Sequence, residues 1–404
     1  MAGTRRPVTR GKTMSEERAP MSTMERILTL MAEKNASDLY LSANSPAMIR
    51  INGQCLPINN QLLPPDAPLA LLGEILPPAA TQELEQSGEL NVGHAMPGLG
   101  NFRISAMRQR GSYAAVIRFI TSEIPPLGSL QTPMVLADLI MERRGLVLVV
   151  GASGAGKSTT LASMIDYRNE KTPGHILTIE DPVEYIFKNK KSVINQREVG
   201  SDTDSLGTAL RNALRQAPDV ILIGEIRDRE TMSAAIAYAQ SGHLCLATMH
   251  ANNSYQALNR ILSFYPVEVR ATMLGDLATA LKAVVSQRLL RTVQGNRAPA
   301  VEVLLNTKAV ADLIGLGDFA AVKEAMEKSI AEGSQTFEQD IARMIVDGIV
   351  DRKEGLSHAD SPTNLQWRLQ NDFTRGAGAL SDADGEDDDD DEPSFTELTL
   401  DVKL

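Results

Sequence analysis

The sequence predicts an α/β chain: a parallel sheet wrapped in helices, preceded by a small α+β domain. Three observations carry this. Short β-branched strands, apolar on both faces, alternate with helical stretches between Leu146 and His250. A glycine-rich loop, Gly151-Ala-Ser-Gly-Ala-Gly156-Lys157-Ser158, follows the first of those strands and opens a helix. Ahead of it, short strands with hairpin signals and proline-bounded helices fill residues 22–120.

The elements follow in order. Residues 1–21 are a basic extension expected to be disordered, with Met14, Met21 and Met24 as alternative starts. Ser22 caps the first helix, and Glu25, three residues on, completes a capping box. Ile27, Leu28, Leu30 and Met31 supply its apolar face. Asp38–Leu41 is a short strand. Met48–Ile51 runs into Asn52-Gly53, the strongest two-residue hairpin signal, and the chain returns from Gln54. Helical pieces cover 65–87, then a meander runs through Glu89–Ala95, Asn101–Arg110 and Ser112–Phe119, turning at Pro97-Gly98 and Gly111. Residues 121–133, with Pro125-Pro126 and Gly128, read as a linker. The second domain, 134–356, carries strands Leu146–Val150, Ile176–Glu180, Val220–Ile223 and Leu244–His250. Ala271–Leu290 is expected as one long helix, followed by shorter ones near 308–316, 318–331 and 336–348. A polar tail is expected over 357–404, acidic from 382.

Composition narrows the function. The chain has 404 residues, 43% of them hydrophobic, enough for two or three domains and too many for wholesale disorder. Two cysteines, Cys55 and Cys245, build neither a disulfide framework nor a four-cysteine zinc site, and they point to a reduced, cytosolic compartment. No apolar run approaches the roughly 18–20 residues that span a bilayer, and no apolar h-region follows the basic N-terminus. The net charge of −11 is mostly tail: Ser381–Leu404 holds eleven acids and one base, Lys403. The rest is near neutral, without the basic footprint of a nucleic-acid binder. An acidic run such as Asp382–Glu392 is a solvated extension, or a dock for a basic partner with Phe395 and Leu398 as anchors.

The motifs carry the chemistry. In the glycine-rich loop, Gly151, Ala152, Ser153, Gly154, Ala155, Gly156, Lys157, Ser158 and Thr159 are the nucleotide-binding candidates. Glycines let backbone N–H groups close on phosphate oxygens, and the helix N-terminus adds positive charge. Lys157 reaches the β- and γ-phosphates, and Ser158 holds Mg²⁺. The strand ending Ile176-Leu-Thr-Ile-Glu180-Asp181-Pro182 delivers two carboxylates beside the loop, because ligands of open α/β sheets sit at the carboxyl ends of strands. One carboxylate there orients or deprotonates the attacking water. In Asp219-Val-Ile-Leu-Ile-Gly-Glu225-Ile-Arg227-Asp228, Glu225 ends a Walker-B-like strand and reaches Mg²⁺ directly or through water. His250 ends the fourth strand on the phosphate side; it is either a γ-phosphate sensor or an ordinary hydrogen-bonded histidine, while His243, at the other end, is structural.

GASGAGKS, IEDPVEY, DVILIGEIRD and GHLCLATMH stand in one order, which resembles the secretion ATPases of type II and type IV systems with their Walker A, Asp box, Walker B and His box. EKNASDLYLSANSPAMIRING at 33–53, VVSQRLLRT at 284–292 and GLSHADSPTNL at 355–365 resemble, within that superfamily, the type IV pilus retraction ATPases, the PilT and PilU group, and its accessory PilU branch above all. The resemblance implies a homohexameric ring of PAS-like and RecA-like domains, with ATP and Mg²⁺ between the two and a neighbour packed against the site. It implies that Glu180 is the catalytic glutamate, Glu225 the Walker B glutamate, and that N-terminal arginines complete the site. Arg103 and Arg118 are the candidates, and Arg108 and Arg110 match the motif position less well. It further implies a cytoplasmic, peripheral position at the inner-membrane pilus base, a PilT-like paralogue and an inner-membrane platform protein as partners, no nucleic acid and no direct membrane insertion. There the chain would assist pilin disassembly in twitching motility.

Two features set it apart from the independent motors. Their arginine-rich Ala-Ile-Arg motif corresponds here to Ala309–Asp318, which has no arginine, and the acidic tail is an addition. Competing readings are a pilus-extension or type II secretion ATPase, a nucleic-acid motor, a GTPase and an ATP-binding structural ring stacked on an active paralogue. The extension ATPases commonly carry a tetracysteine zinc insertion, for which this chain lacks the cysteines. The near-neutral body weighs against the nucleic-acid motor. Asn189-Lys190-Lys191-Ser192 fails the guanine signature.

Overall fold

The computed structural model describes residues 21–371 except 52, 53, 97, 98, 121, 122 and 330. The N-terminal extension up to residue 20, the Asn52-Gly53 and Pro97-Gly98 turns and the acidic run lie outside the described residues.

Helix α1 (Thr23–Glu33) starts as its capping box dictates: the Glu25 N–H donates to Ser22 Oγ at 3.2 Å and the Ser22 N–H to the Glu25 carboxylate at 2.8 Å. There follow β1 (Asp38–Ser42), β2 (Pro46–Ile51), β3 (Gln54–Leu62), α2 (Ala67–Gly73), α3 (Pro78–Ser87), β4 (Glu89–Met96), β5 (Gly100–Gln109) and β6 (Ser112–Ile120). The strands form one antiparallel sheet in the order β3-β2-β1-β6-β5-β4. Register assigns its faces, since side chains alternate along a strand. Ile49, Leu39, Ile117 and Ile104 stand level across β2, β1, β6 and β5, and they join Met24, Leu28, Leu72 and Leu84 of the helices in one core. One residue along, Arg50, Asp38, Arg118 and Arg103 stand level on the opposite face.

The second unit contains α4 (Val135–Met141), β7 (Gly145–Val150), α5 (Lys157–Lys171), β8 (Gly174–Glu180), β9 (Ser192–Glu198), α6 (Leu206–Ala213), β10 (Val220–Ile223), α7 (Arg229–Gln240), β11 (Leu244–Met249), α8 (Ser254–Ser263) and α9 (Val267–Ala280). It continues through β12 (Leu281–Arg291), β13 (Arg297–Leu305), α10 (Lys308–Leu316), α11 (Phe319–Glu327), α12 (Phe337–Val346), α13 (Arg352–His358) and α14 (Pro362–Asn371). Its seven-stranded sheet runs β13-β12-β7-β11-β10-β8-β9, parallel throughout except β12 with β13. Both faces are covered. Leu148, Ile221 and Cys245 face one core, and Val147, Val149 and Leu246 the other. That is why β7, β10 and β11 are buried at every position and look apolar without alternation.

Two expectations need correction. The long helix over Ala271–Leu290 breaks at Leu281: α9 ends at Ala280, and β12 takes over, pairing with both β7 and β13. A strand inserted between two others is apolar on both faces, so its hydrophobicity has the helix-like continuity that misleads a periodicity argument. The tail expected from 357 also starts too early. Helices α13 and α14 are packed, with Leu365 fully buried beside Phe337 and Ile341. Asp360 accepts from Arg288 and from Asn253, and the Arg288 guanidinium lies 3.9 Å from the Phe337 ring centre. These contacts fasten the last helices to β12 and to the loop after His250.

Candidate active site

The carboxyl ends of β7, β8, β10 and β11 converge on a cavity of about 1060 Å³ that also reaches the first sheet. The loop leaving β7 makes its floor. Gly156 has φ +86°, and a Cβ there would meet Gln287 Nε2 at 2.9 Å. A Cβ on Gly151 would meet the Gln287 carbonyl oxygen at 2.6 Å, and backbone cannot give way as a side chain can. The loop therefore lies flat against β12 only because glycine occupies both positions. Ser153 to Thr159 line the cavity; Gly151 and Ala152 do not, but their carbonyls each accept from Lys157 Nζ at 2.9 Å. Burial pushes the Lys157 ammonium below the ordinary lysine value, and Glu225 and Glu184 oppose that shift. Behind the loop, Thr160 Oγ1 donates to Gln287 Oε1 at 2.8 Å, and Thr159 Oγ1 shares a 2.8 Å hydrogen bond with the Tyr185 hydroxyl.

Glu180 ends β8 in the cavity wall. Its Oε1 accepts from Thr178 Oγ1 at 2.7 Å and from Gln196 Nε2 at 3.3 Å. Burial raises its pKa above the ordinary carboxyl value, and these hydrogen bonds restrain the rise. Glu225, just beyond β10, accepts from Arg227 Nε at 2.8 Å, and its other oxygen lies 3.4 Å from His250 Nε2. His250 thus belongs to the cavity. His243 does not; it sits at the far end of β11 against Ser241 Oγ, at 3.1 Å.

The first sheet contributes Arg118, one of the two arginines the family resemblance implied, and Arg50, which it did not imply. Arg103 is outside the wall, level with Arg118 but one strand further away. Arg118 and Arg50 of one chain therefore already reach its own cavity. Arg227, Arg297, Tyr185 and Gln287 also escaped the sequence reading as site residues. Arg227 lies in the DVILIGEIRD motif and Gln287 in VVSQRLLRT, whereas Arg297 belongs to β13, a strand the sequence did not announce. Among the described residues no group of three or more His, Cys, Asp or Glu side chains could hold a metal ion, and no helix is long and apolar enough to cross a membrane.

The family profile described as "Type II/IV secretion system protein" matches residues 21–316. The chain belongs to the type II/IV secretion system protein family. Among curated members of this family it is 43% identical to the Type IV pilus ATPase PilU of Pseudomonas aeruginosa over 361 residues, 89% of this chain and 93% of that protein. It is 36% identical to the type IV pilus retraction ATPase PilT of the same organism, over 84% of this chain and 98% of PilT. The crystal structure of the pilus retraction motor PilT with bound ADP superposes with a TM-score of 0.80 at 36% identity, covering 86% of this chain and all of that one. The fold is accordingly that of the family, a RecA-like P-loop domain behind a small α+β PAS-like domain, and the chain is a nucleotide-binding ATP hydrolase.

Proposed function

We propose that this chain hydrolyses ATP as a subunit of a homohexameric ring that assists retraction of type IV pili. The observation that carries the reading is a single cavity joining Lys157, Glu180, Glu225 and Arg118, in a chain similar over most of its length to PilU and PilT. Identity of 43% to PilU against 36% to PilT, and no arginine between Ala309 and Asp318, support the accessory role beside a PilT-like paralogue. An inner-membrane platform protein would receive the force. The proposed domain limits are 22–120 and 134 onward, now extended to residue 371 by α13 and α14.

The residues divide the work. Backbone N–H groups of the 151–158 loop and the α5 N-terminus bind the phosphates. Lys157, now held by two loop carbonyls, swings its ammonium to the phosphate oxygens. Ser158 and Glu225 suit Mg²⁺, a hard cation that prefers oxygen donors and keeps much of its water. When bound, the ion would neutralise charge on the phosphate oxygens. Glu180 orients the attacking water and accepts its proton, and the raised pKa makes it a better base than an exposed glutamate. Arg118 neutralises charge that spreads over the transferring phosphoryl oxygens. His250, against Glu225, reports whether that group is present.

The test is ATPase rate per subunit against protein concentration, with Lys157→Ala as the blank. A rate that climbs and then plateaus supports the ring. A rate at the blank's level at all concentrations, with and without a PilT-like partner, would remove the hydrolysis reading.

A further inference from the structure

The row Arg50, Asp38, Arg118 and Arg103 asks for an explanation that stability does not supply. The four residues are cross-strand neighbours on β2, β1, β6 and β5, with one acid among three arginines. Arg118 and Arg103 are directly opposite each other, a like-charge arrangement that destabilises a sheet. Asp38 has a side chain only 4% exposed, a costly place for a carboxylate. Its partner is no return on that cost, because Arg118 is 63% exposed, and ion pairs with solvated arginines contribute little.

The geometry of the contact is informative. Asp38 Oδ1 accepts from Arg118 Nε, at 2.9 Å, and not from the terminal nitrogens. Asp38 Oδ2 accepts from Ser37 Oγ at 2.8 Å and has Arg50 Nη1 at 3.8 Å. A guanidinium gripped at Nε has its plane and direction fixed while both Nη groups stay available. Both arginines end in the same cavity as Lys157, Glu180 and Glu225, whereas Arg103, which Asp38 does not grip, stays outside it.

We propose that Asp38 is a positioning residue for ATP hydrolysis: its buried carboxylate holds Arg118, and beside it Arg50, so that their terminal nitrogens meet the γ-phosphate. This rests on the nucleotide-site reading above. It adds that the arginines are aimed by an acid 80 residues distant from Arg118 in sequence.

The experiment uses the full chain with Asp38→Asn, Arg118→Ala, Arg118→Lys and the Asp38→Asn/Arg118→Ala double variant. It measures kcat and KM for ATP, and affinities for ADP and for a non-hydrolysable analogue that carries a γ-phosphate. Asp38→Asn is expected to lower kcat by roughly tenfold or more, the range for partners that orient a reacting group. ADP affinity should hold, and the preference for the analogue over ADP should fall. The double variant should lose less than the product of the two single losses, because Asp38 acts mainly through Arg118 and only in part through Arg50. Arg118→Lys keeps the charge but has no Nε to grip, so it should lose as much as Arg118→Ala. Losses that multiply in the double variant, or a lysine variant as fast as the parent, would overturn the proposal. The lysine comparison also stands if Asp38→Asn fails to fold. The two readings fail differently: unimpaired hydrolysis by Lys157→Ala would sink the nucleotide site itself. A dead Lys157→Ala beside a normal Asp38→Asn would sink only the role of Asp38.

Discussion

Lys157 and Glu180 illustrate how much of the proposed chemistry single residues carry. Lys157 sits in an eight-residue motif whose glycines, lysine and serine are close in sequence, so its place is legible from the residues alone. Replacing it by alanine should cost at least about 100-fold in kcat, as for loss of one group that stabilises transferring charge, measured by steady-state hydrolysis. Glu180 is legible by its strand-end position, but its setting is not, because Thr178 and Gln196 come from the same strand and from a strand the sequence does not announce. Its raised pKa has a sign that can be followed. As the proposed base, Glu180 works when ionised, so kcat/KM should fall on the acid side at a pH above the ordinary glutamate value of 4.5. Thr178→Val removes a hydrogen bond that favours the ionised form, and the acid limb should move to higher pH. Glu180→Gln should abolish the limb and lower kcat by roughly 100-fold or more. A limb unmoved by Thr178→Val would detach Glu180 from the profile. The Arg50–Asp38–Arg118 row lies beyond sequence reading altogether, since only strand pairing makes neighbours of positions 38, 50 and 118.

Among the elements, the short parallel strands and the capped helices are legible because their signals are local: β-branched runs, Ser22 with Glu25, glycine after β7. Strand β12 is not. Its Val284-Val285 core faces both sides, and the pairing that decides its conformation is with β7, more than 130 residues earlier in the chain. Its partner β13 carries a buried Glu302, whose Oε1 accepts from the Ser254 N–H at 2.8 Å and from Ser286 Oγ at 3.0 Å. That contact ties the start of α8, four residues beyond His250, to the β12–β13 pair. Burial raises the Glu302 pKa from its ordinary 4.5 despite those bonds. A raised folded-state pKa means that the stabilisation is fully present below the unfolded value and is lost as pH rises through the folded value. Glu302→Gln keeps an oxygen acceptor and removes the buried charge. Its melting temperature should therefore decline less with pH across that window than the parent's and, at pH 8, be equal to or above the parent's, with a gain of about 1 kcal/mol at most. A variant clearly less stable than the parent at pH 8 would show that the ionised carboxylate is worth more than burial costs it.

At the scale of the whole molecule, the cavity lies between two sheets that the chain joins by a segment containing Pro125, Pro126 and Gly128. In the proposed reading the second sheet holds the phosphates through the glycine loop, and the first reaches the same space through Arg50 and Arg118. A γ-phosphate that meets both should draw the two units together, and the joining segment should then be harder for a protease to enter. Stabilisation of the whole chain by ligand follows mass action, about 2.7 kcal/mol at one hundred times Kd. ADP and a γ-phosphate analogue, matched for saturation, should therefore give similar melting shifts but different protection. Limited proteolysis mapped by mass spectrometry should show cleavage within 123–132 slowed more by the analogue than by ADP. In an Arg50→Ala/Arg118→Ala variant the analogue should still raise the melting temperature, because the loop and Lys157 remain, yet its extra protection should vanish. Equal protection by both nucleotides in the parent chain would mean that the two sheets share a cavity without being coupled by it. Closure driven by the γ-phosphate would then be no part of the proposed motor's stroke.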